Sequence, residues 1–358
     1  MNGQTIMIMA GGTGGHVFPA LALADAMRAR GWNVVWLGTD AGIEARVVPQ
    51  RGYKLETLDI AGMRGNGIKR WLTLPLVLLN AFRQSVGLIR KYQPAVVAGF
   101  GGYTAFPGGM MATLLGKPLV VHEQNSVAGL TNKVLAAVAD AILTAFPSAF
   151  RLGGKVRLVG NPVRADIAAV AAPEQRFAGR SGALKVLVVG GSLGAVALND
   201  NVPKALALIP PAERPQVTHQ AGVKNIDALR VNYAQAGVEA DCVAFIDNMA
   251  QAYGDADLVI CRAGALTIAE LAAAGVASIL VPYPHAVDDH QTGNARYLAD
   301  NHAALLLPQR DMSPEQLATL LRGLNRDKLL NMAQAARKLA KPHATDDVAV
   351  VCLELANT

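Results

Sequence analysis

Charged residues make up only 17% of this 358-residue chain and aromatic residues only 5%, against 52% hydrophobic residues. Such scarcity of charge excludes an intrinsically disordered chain and implies well-buried cores. Few aromatics and no run of five or more basic residues leave little with which to stack on bases or track a phosphate backbone, so no nucleic-acid partner is expected. Cysteine is equally rare: Cys242, Cys261 and Cys352 lack C-x-x-C spacing, which points to reduced, structural thiols. No H-E-x-x-H, cysteine cluster or His/carboxylate triplet offers a metal site, and G-x-x-x-x-G-K-[ST] is missing. The longest apolar run, Trp71 to Ala81, contains Thr73, Pro75 and Asn80 and falls short of the roughly 20 residues that span a bilayer. Met1-Asn2-Gly3-Gln4 brings neither a basic region nor a cleavage site, so a cytoplasmic protein is expected.

Single cores stop growing at roughly 250 to 300 residues, so this length predicts two domains. Charge divides between them. Residues 1–164 hold 17 Lys and Arg against 7 Asp and Glu, whereas residues 165–358 hold 16 against 20. The first half therefore faces something anionic, a phosphate-bearing substrate or an anionic membrane surface.

The chain opens with an apolar strand, Thr5 to Ala10, then Gly11-Gly12-Thr13-Gly14-Gly15-His16 and a helix-like stretch from Pro19. Glycines let backbone approach a ligand, and the helix that follows offers N–H groups and partial positive charge to an anion. The loop is not a dinucleotide fingerprint, because the third glycine of G-x-G-x-x-G falls on Val17. A tight turn at the first βα junction of any Rossmann-like domain explains the glycines equally well; His16 adds a base or phosphate ligand. Strand signals recur at 33–38, 54–60, 94–98, 118–121, 139–144 and 156–160, with a second glycine loop at Gly99 to Thr104. After Gly160-Asn161-Pro162-Val163-Arg164 the opening pattern repeats as Leu184 to Val189 and Gly190-Gly191-Ser192-Leu193-Gly194, and strand signals continue to 304–307. Two similar α/β domains with parallel, doubly wound sheets are predicted, at 1–163 and 164–340, with the C-terminal helix 341–358 crossing back to the first.

Polar residues at the carboxyl ends of parallel strands are ligand candidates. His122-Glu123-Gln124-Asn125 is such a cluster, although His122 or Glu123 fits a structural role at a sheet edge as well. Thr267 and Glu270 fit a capping box; left open, that box would place Glu270 inside a helix N-terminus, where it can accept the hydroxyls of a ribose while the terminus holds a pyrophosphate. Asp255-Ala256-Asp257 matches a D-x-D metal motif but precedes a strand, away from the ligand edge, so Asp257 reads as a turn residue. Gly62 to Phe82 reads either as a loop leading into a buried helix or as an apolar patch rimmed by Arg64, Lys69 and Arg70 that dips into an anionic bilayer.

Together, Gly11 to His16, Gly101-Gly102-Tyr103, His122 to Asn125, Gly160 to Arg164, Gly190-Gly191-Ser192, Arg262 to Thr267 and Asp289-His290-Gln291-Thr292-Gly293-Asn294-Ala295 resemble the MurG family of peptidoglycan N-acetylglucosaminyltransferases, in order and spacing over nearly the whole chain. The resemblance implies a GT-B fold, two Rossmann-like doubly wound parallel-sheet domains with a cleft between; with the metal motifs missing, no cofactor or metal is expected. It implies inverting transfer of GlcNAc from UDP-GlcNAc to the 4-hydroxyl of the muramyl sugar of lipid I, giving lipid II, at the cytoplasmic face of the bacterial inner membrane. A peripheral contact with the anionic surface would run through Ile68, Lys69, Arg70 and Trp71. Carried over, the substrate site comprises Thr13, Gly14, Gly15, Asn125, Arg164, Ser192, Ile246, Ala265, Leu266, Thr267, Ile268, Ala269, Glu270 and Gln291. Ile246 would meet uracil through its backbone, Glu270 the ribose, Ser192 and the helix near Ala265 the phosphates, and Gln291 with Asn125 the GlcNAc hydroxyls. The residues around Gln291 and Asn294 differ from some relatives, which loosens the sugar assignments there.

Such a reaction needs a base and stabilisation of the departing UDP. His16 is expected as the base or as a group positioning the acceptor, with Tyr103 and Glu123 helping and Glu123 the alternative base. A UDP-GlcNAc 2-epimerase is a rival within the same fold, but has no need of the basic, apolar surface at Gly62 to Phe82. The broken fingerprint disfavours a nicotinamide-dependent oxidoreductase, and a non-catalytic membrane-associated scaffold would not bind UDP-GlcNAc.

Overall fold

The computed structural model describes residues 3–60, 68–191 and 194–357. The chain divides into two compact units, one running to Val163 and resuming at His343, the other Arg164–Pro342. The first is built on β1 (Thr5–Met9), β2 (Asn33–Gly38), β3 (Lys54–Thr57), β4 (Val96–Gly99), β5 (Leu119–Glu123), β6 (Ala141–Thr144) and β7 (Val156–Leu158). Their order is β3-β2-β1-β4-β5-β6-β7 and every pairing is parallel. Helices cover both faces, which is why β1 is apolar at every buried position rather than alternating. Ile6 and Ile8 join a core with Val17, Leu23 and Trp36, completed by Val348 and Cys352 of the C-terminal helix Ala344–Ala356. Met7 and Met9 point the other way, to Leu37, Ile89, Leu119, Val121 and Leu135.

In the second unit β8 (Lys185–Val189), β9 (Gln216–Gln220), β10 (Asp241–Val243), β11 (Leu258–Cys261), β12 (Ser278–Leu280) and β13 (Ala304–Leu306) take the order β10-β9-β8-β11-β12-β13, again all parallel. In each unit the strand order reverses at the first strand, so the carboxyl ends of β1/β4 and of β8/β11 are switch points where such sheets bind ligands. The expected α/β architecture with two Rossmann-like sheets holds. β3 stops at Thr57, short of the predicted Ile60.

The helix Ile68–Tyr92 carries Pro75. Ala81, Ser85 and Ile89 are buried at helical spacing, yet Leu76 and Leu79 are 70% and 58% exposed, so the buried-helix alternative fails over this turn. Residues 61–67 and the side chains of Ile68, Lys69, Arg70 and Trp71 lie outside what is described, and Arg64 with them. Among the described residues no helix is long and apolar enough to cross a membrane.

Candidate active site

At the carboxyl end of β1 the glycine loop rests on a buried carboxylate. Glu44 is fully buried; its Oε2 accepts the Gly12 N–H at 3.0 Å, and its Oε1 accepts the Thr39 N–H at 3.1 Å and hydroxyl at 2.7 Å. Side chains at Gly11 or Gly38 would collide with it, a Cβ on Gly11 lying 2.6 Å from Oε1. The second glycine loop packs on the first. Gly101 and Gly102 take φ of 99° and 88°, and a Cβ on Gly101 would come 3.1 Å from the His16 ring. Thr13 starts the helix Gly14–Ala29 without a side-chain cap, so its first turn presents backbone N–H groups near exposed Thr13 and half-buried Gly14 and Gly15.

Strand alternation sorts the polar cluster at the end of β5. Val120, His122 and, just beyond, Gln124 lie on the face of the helix that carries His16, while Glu123 shares the opposite face with Leu119 and Val121. The His16 Nδ1 lies 2.8 Å from Gln124 Oε1. Gln124 Nε2 lies 3.0 Å from both His122 Nδ1 and the His122 carbonyl oxygen, and His122 Nε2 lies 2.9 Å from the Gly160 carbonyl oxygen. Burial pushes the His122 imidazole down to about 4, against the smaller opposing effect of its bond to Gly160, so it stays neutral. His16 Nε2 has no hydrogen-bond partner among the described residues.

Glu123, the alternative base, is placed differently: it is 1% exposed and its oxygens accept from the N–H groups of Asn125 (2.9 Å) and Gly129 (3.1 Å) and from Asn132 Nδ2 (2.9 Å). A carboxylate so surrounded shapes the loop that carries Asn125 instead of meeting solvent. Tyr103 stands 43% exposed on the second glycine loop.

In the second unit the glycine loop after β8 is shaped by close approach. Gly191 and Gly194 have φ of 86° and 75°, and a Cβ on Gly194 would strike the Ala221 carbonyl. Buried Gln220 donates from Nε2 to the Gly191 and Ala244 carbonyls, at 3.1 and 3.2 Å, tying that loop to the segment leading to half-buried Ile246. Ser192 lies outside the described residues.

The helix Ala265–Ala274 begins after Gly264 with no side-chain cap, two residues ahead of Thr267, so the capping box is not formed. Ala265, Leu266, Thr267, Ile268 and Ala269 make its opening turns. Glu270 is 9% exposed and accepts from the Tyr253 hydroxyl at 3.1 Å. Burial raises its pKa to about 7, outweighing the attraction of the Arg164 guanidinium and the Tyr253 bond. Gln291 Oε1 accepts the Ala263 and Tyr283 N–H groups, at 3.2 and 2.9 Å, which narrows any sugar contact to its Nε2.

Asp257 sits at the bend before β11, as expected of a turn residue, but it is also fully buried, paired with Arg180 and Arg326, and accepts the Lys185 N–H at 2.9 Å. Among the described residues no group of three or more His, Cys, Asp or Glu is arranged to hold a metal ion. Sequence reasoning passed over Gln220, Tyr253 and the Glu44 clamp; only the glycines around Glu44 signalled that something there leaves no room for a side chain.

The chain matches the glycosyltransferase family 28 N-terminal domain over residues 6–144 and the C-terminal domain of the same family over residues 185–348. It is 62% identical over 353 residues to the UDP-N-acetylglucosamine--N-acetylmuramyl-(pentapeptide) pyrophosphoryl-undecaprenol N-acetylglucosamine transferase of Aromatoleum aromaticum, covering 99% of this chain and 98% of that one. The same-named protein of Neisseria meningitidis serogroup B is 58% identical, with 99% and 100% covered. The crystal structure of Acinetobacter baumannii MurG superposes with a TM-score of 0.87 at 43% identity, covering 98% and 99%. A glycosyltransferase of kitacinnamycin, at 16% identity and TM-score 0.75 over 99% of each chain, shares the fold alone. Two parallel sheets of this order, the full-length matches and the MurG superposition make this chain a GT-B glycosyltransferase of family 28, a member of the MurG family of N-acetylglucosaminyltransferases.

Proposed function

We propose that this chain transfers GlcNAc from UDP-GlcNAc to the 4-hydroxyl of the muramyl sugar of lipid I, with inversion, to make lipid II for peptidoglycan. The observation that carries the chemistry is His16, held through one ring nitrogen at the mouth of a glycine loop, the other nitrogen having no partner among the described residues. As the acceptor oxygen bonds to the anomeric carbon and the bond to UDP breaks, His16 Nε2 takes the hydroxyl proton. Tyr103 and the uncapped turn at Thr13, Gly14 and Gly15 serve the acceptor side, and Asn125 the GlcNAc.

In the second unit, Glu270 accepts the ribose hydroxyls, the Ile246 backbone reads uracil, and Arg164 holds charge beside Glu270. The departing diphosphate is met by the glycine loop with Ser192 and by the first turn of the helix at Ala265. Gln291 donates to the sugar from Nε2. The enzyme works peripherally on the inner face of the cytoplasmic membrane, contacted through Ile68, Lys69, Arg70 and Trp71 and the exposed Leu76 and Leu79.

Transfer of radiolabelled GlcNAc from UDP-GlcNAc to a lipid I analogue tests the reaction, and His16→Ala tests the base. The expected loss in kcat is about 10²- to 10⁴-fold. A variant within a few-fold of the parent across pH removes His16 from that role.

A further inference from the structure

We infer that Gln124 is a positioning residue through which buried His122 holds His16 in the tautomer whose proton sits on Nδ1, leaving the lone pair on Nε2. The inference rests on the reading of His16 as the base. Two backbone carbonyls force the direction of every bond in the chain. A carbonyl oxygen only accepts, so the Gln124 atom 3.0 Å from the His122 carbonyl oxygen is the amide nitrogen. The amide oxygen then faces His16 Nδ1 at 2.8 Å, and that nitrogen must carry a proton. By the same logic the Gly160 carbonyl, 2.9 Å from His122 Nε2, makes that nitrogen a donor, so His122 Nδ1 accepts from the Gln124 amide.

Each member is locked. His122 is 1% exposed and stacks on Phe100 with ring centroids 5.1 Å apart; Gln124 is 1% exposed, and its backbone carbonyl accepts from Asn161 Nδ2 at 3.0 Å. His122 cannot take up a proton without setting two donors against each other, and its burial opposes that charge. In an unrestrained histidine the Nε2–H tautomer predominates and offers no base at Nε2. The relay reverses that preference before substrate arrives. When Nε2 takes the acceptor's proton, the Nδ1–H bond to the amide oxygen is retained and becomes charge-assisted.

The test uses full-length protein. With ¹⁵N-labelled histidine, and His16→Ala to assign the signals, the parent is expected to show His16 protonated on Nδ1. An Nε2–H tautomer there overturns the inference without any variant. In Gln124→Leu the signal should move to the Nε2–H form and kcat fall on the order of 10²-fold, with KM for UDP-GlcNAc within about twofold and the thermal melt retained. In Gln124→Glu activity should return at higher pH, with the acidic limb of the kcat profile moved up by about one pH unit or more. Parental kcat in Gln124→Leu beside an inactive His16→Ala sinks the positioning role alone; parental kcat in His16→Ala sinks the base reading and this inference with it.

Discussion

Glu270 shows how one residue acquires a working pH. Burial favours its neutral form, while nearby Arg164 and the Tyr253 hydroxyl bond favour the charged one; burial wins, and the pKa rises to about 7. In the role proposed for Glu270, ribose hydroxyls donate better to a carboxylate than to an acid, so UDP binding should strengthen as pH rises through 7 and weaken below it. The loss should approach about tenfold per pH unit well under 7. Calorimetric titration of UDP across pH 7 measures this, with Glu270→Gln as the flat reference; a parent profile as flat as the variant's refutes it. The sign for stability is opposite: the raised pKa stabilises the fold fully below 4.5, and that contribution disappears as pH climbs through 7. The spacing of Thr267 and Glu270 singled out Glu270, and Arg164 entered only through the family resemblance; the Tyr253 partnership was not legible, because nothing local connects positions 253 and 270.

Elements explain why some site residues were readable and others not. Along β5 the two-residue period already separates His122 and Gln124 from Glu123, but only the helix Gly14–Ala29, packed over one face, brings His16 to Gln124. In the helix Ile68–Tyr92, periodicity alone left two readings, and the exposure of Leu76 and Leu79 favours the outward one. A membrane surface gains about 1.5 to 3 kcal/mol for each leucine it buries and about 1 kcal/mol for each basic residue held near anionic lipid. Charge reversal at Lys69 and Arg70 should therefore lower binding to anionic vesicles by about 30-fold or more, with UDP affinity unaltered. Unchanged vesicle binding in sedimentation removes the patch.

Across the whole molecule, each unit buries a neutral histidine that the unfolded chain would let ionise. His122 in the first unit is lowered to about 4 and His219 in the second to about 3, the latter lodged between Tyr233 and Asn199. Depressed pKa values mean stability that is whole above 6.5 and lost as pH falls toward 4 and 3. The full effect is roughly 3 kcal/mol for one unit and 5 for the other, a large part of the 5–15 kcal/mol typical of a domain. In the second unit the Glu270 contribution grows over the same window and offsets much of the His219 loss, so the fall belongs to the first unit. Its urea midpoint, read from the fluorescence of Trp32 and Trp36, should drop between pH 6.5 and 4; a constant midpoint there contradicts the burial argument for His122.

Period, glycine placement and charge by themselves determined the two α/β units, the position of the strands and the glycine loops, because these features depend on neighbours a few residues apart. Tertiary structure alone decided the rest. Glu44 became a clamp, Glu123 a loop anchor, Asp257 a buried ion-pair centre and Gln124 the link between two histidines. Each of these roles depends on which distant donors reach a buried polar atom, and that is set by packing rather than by spacing along the chain.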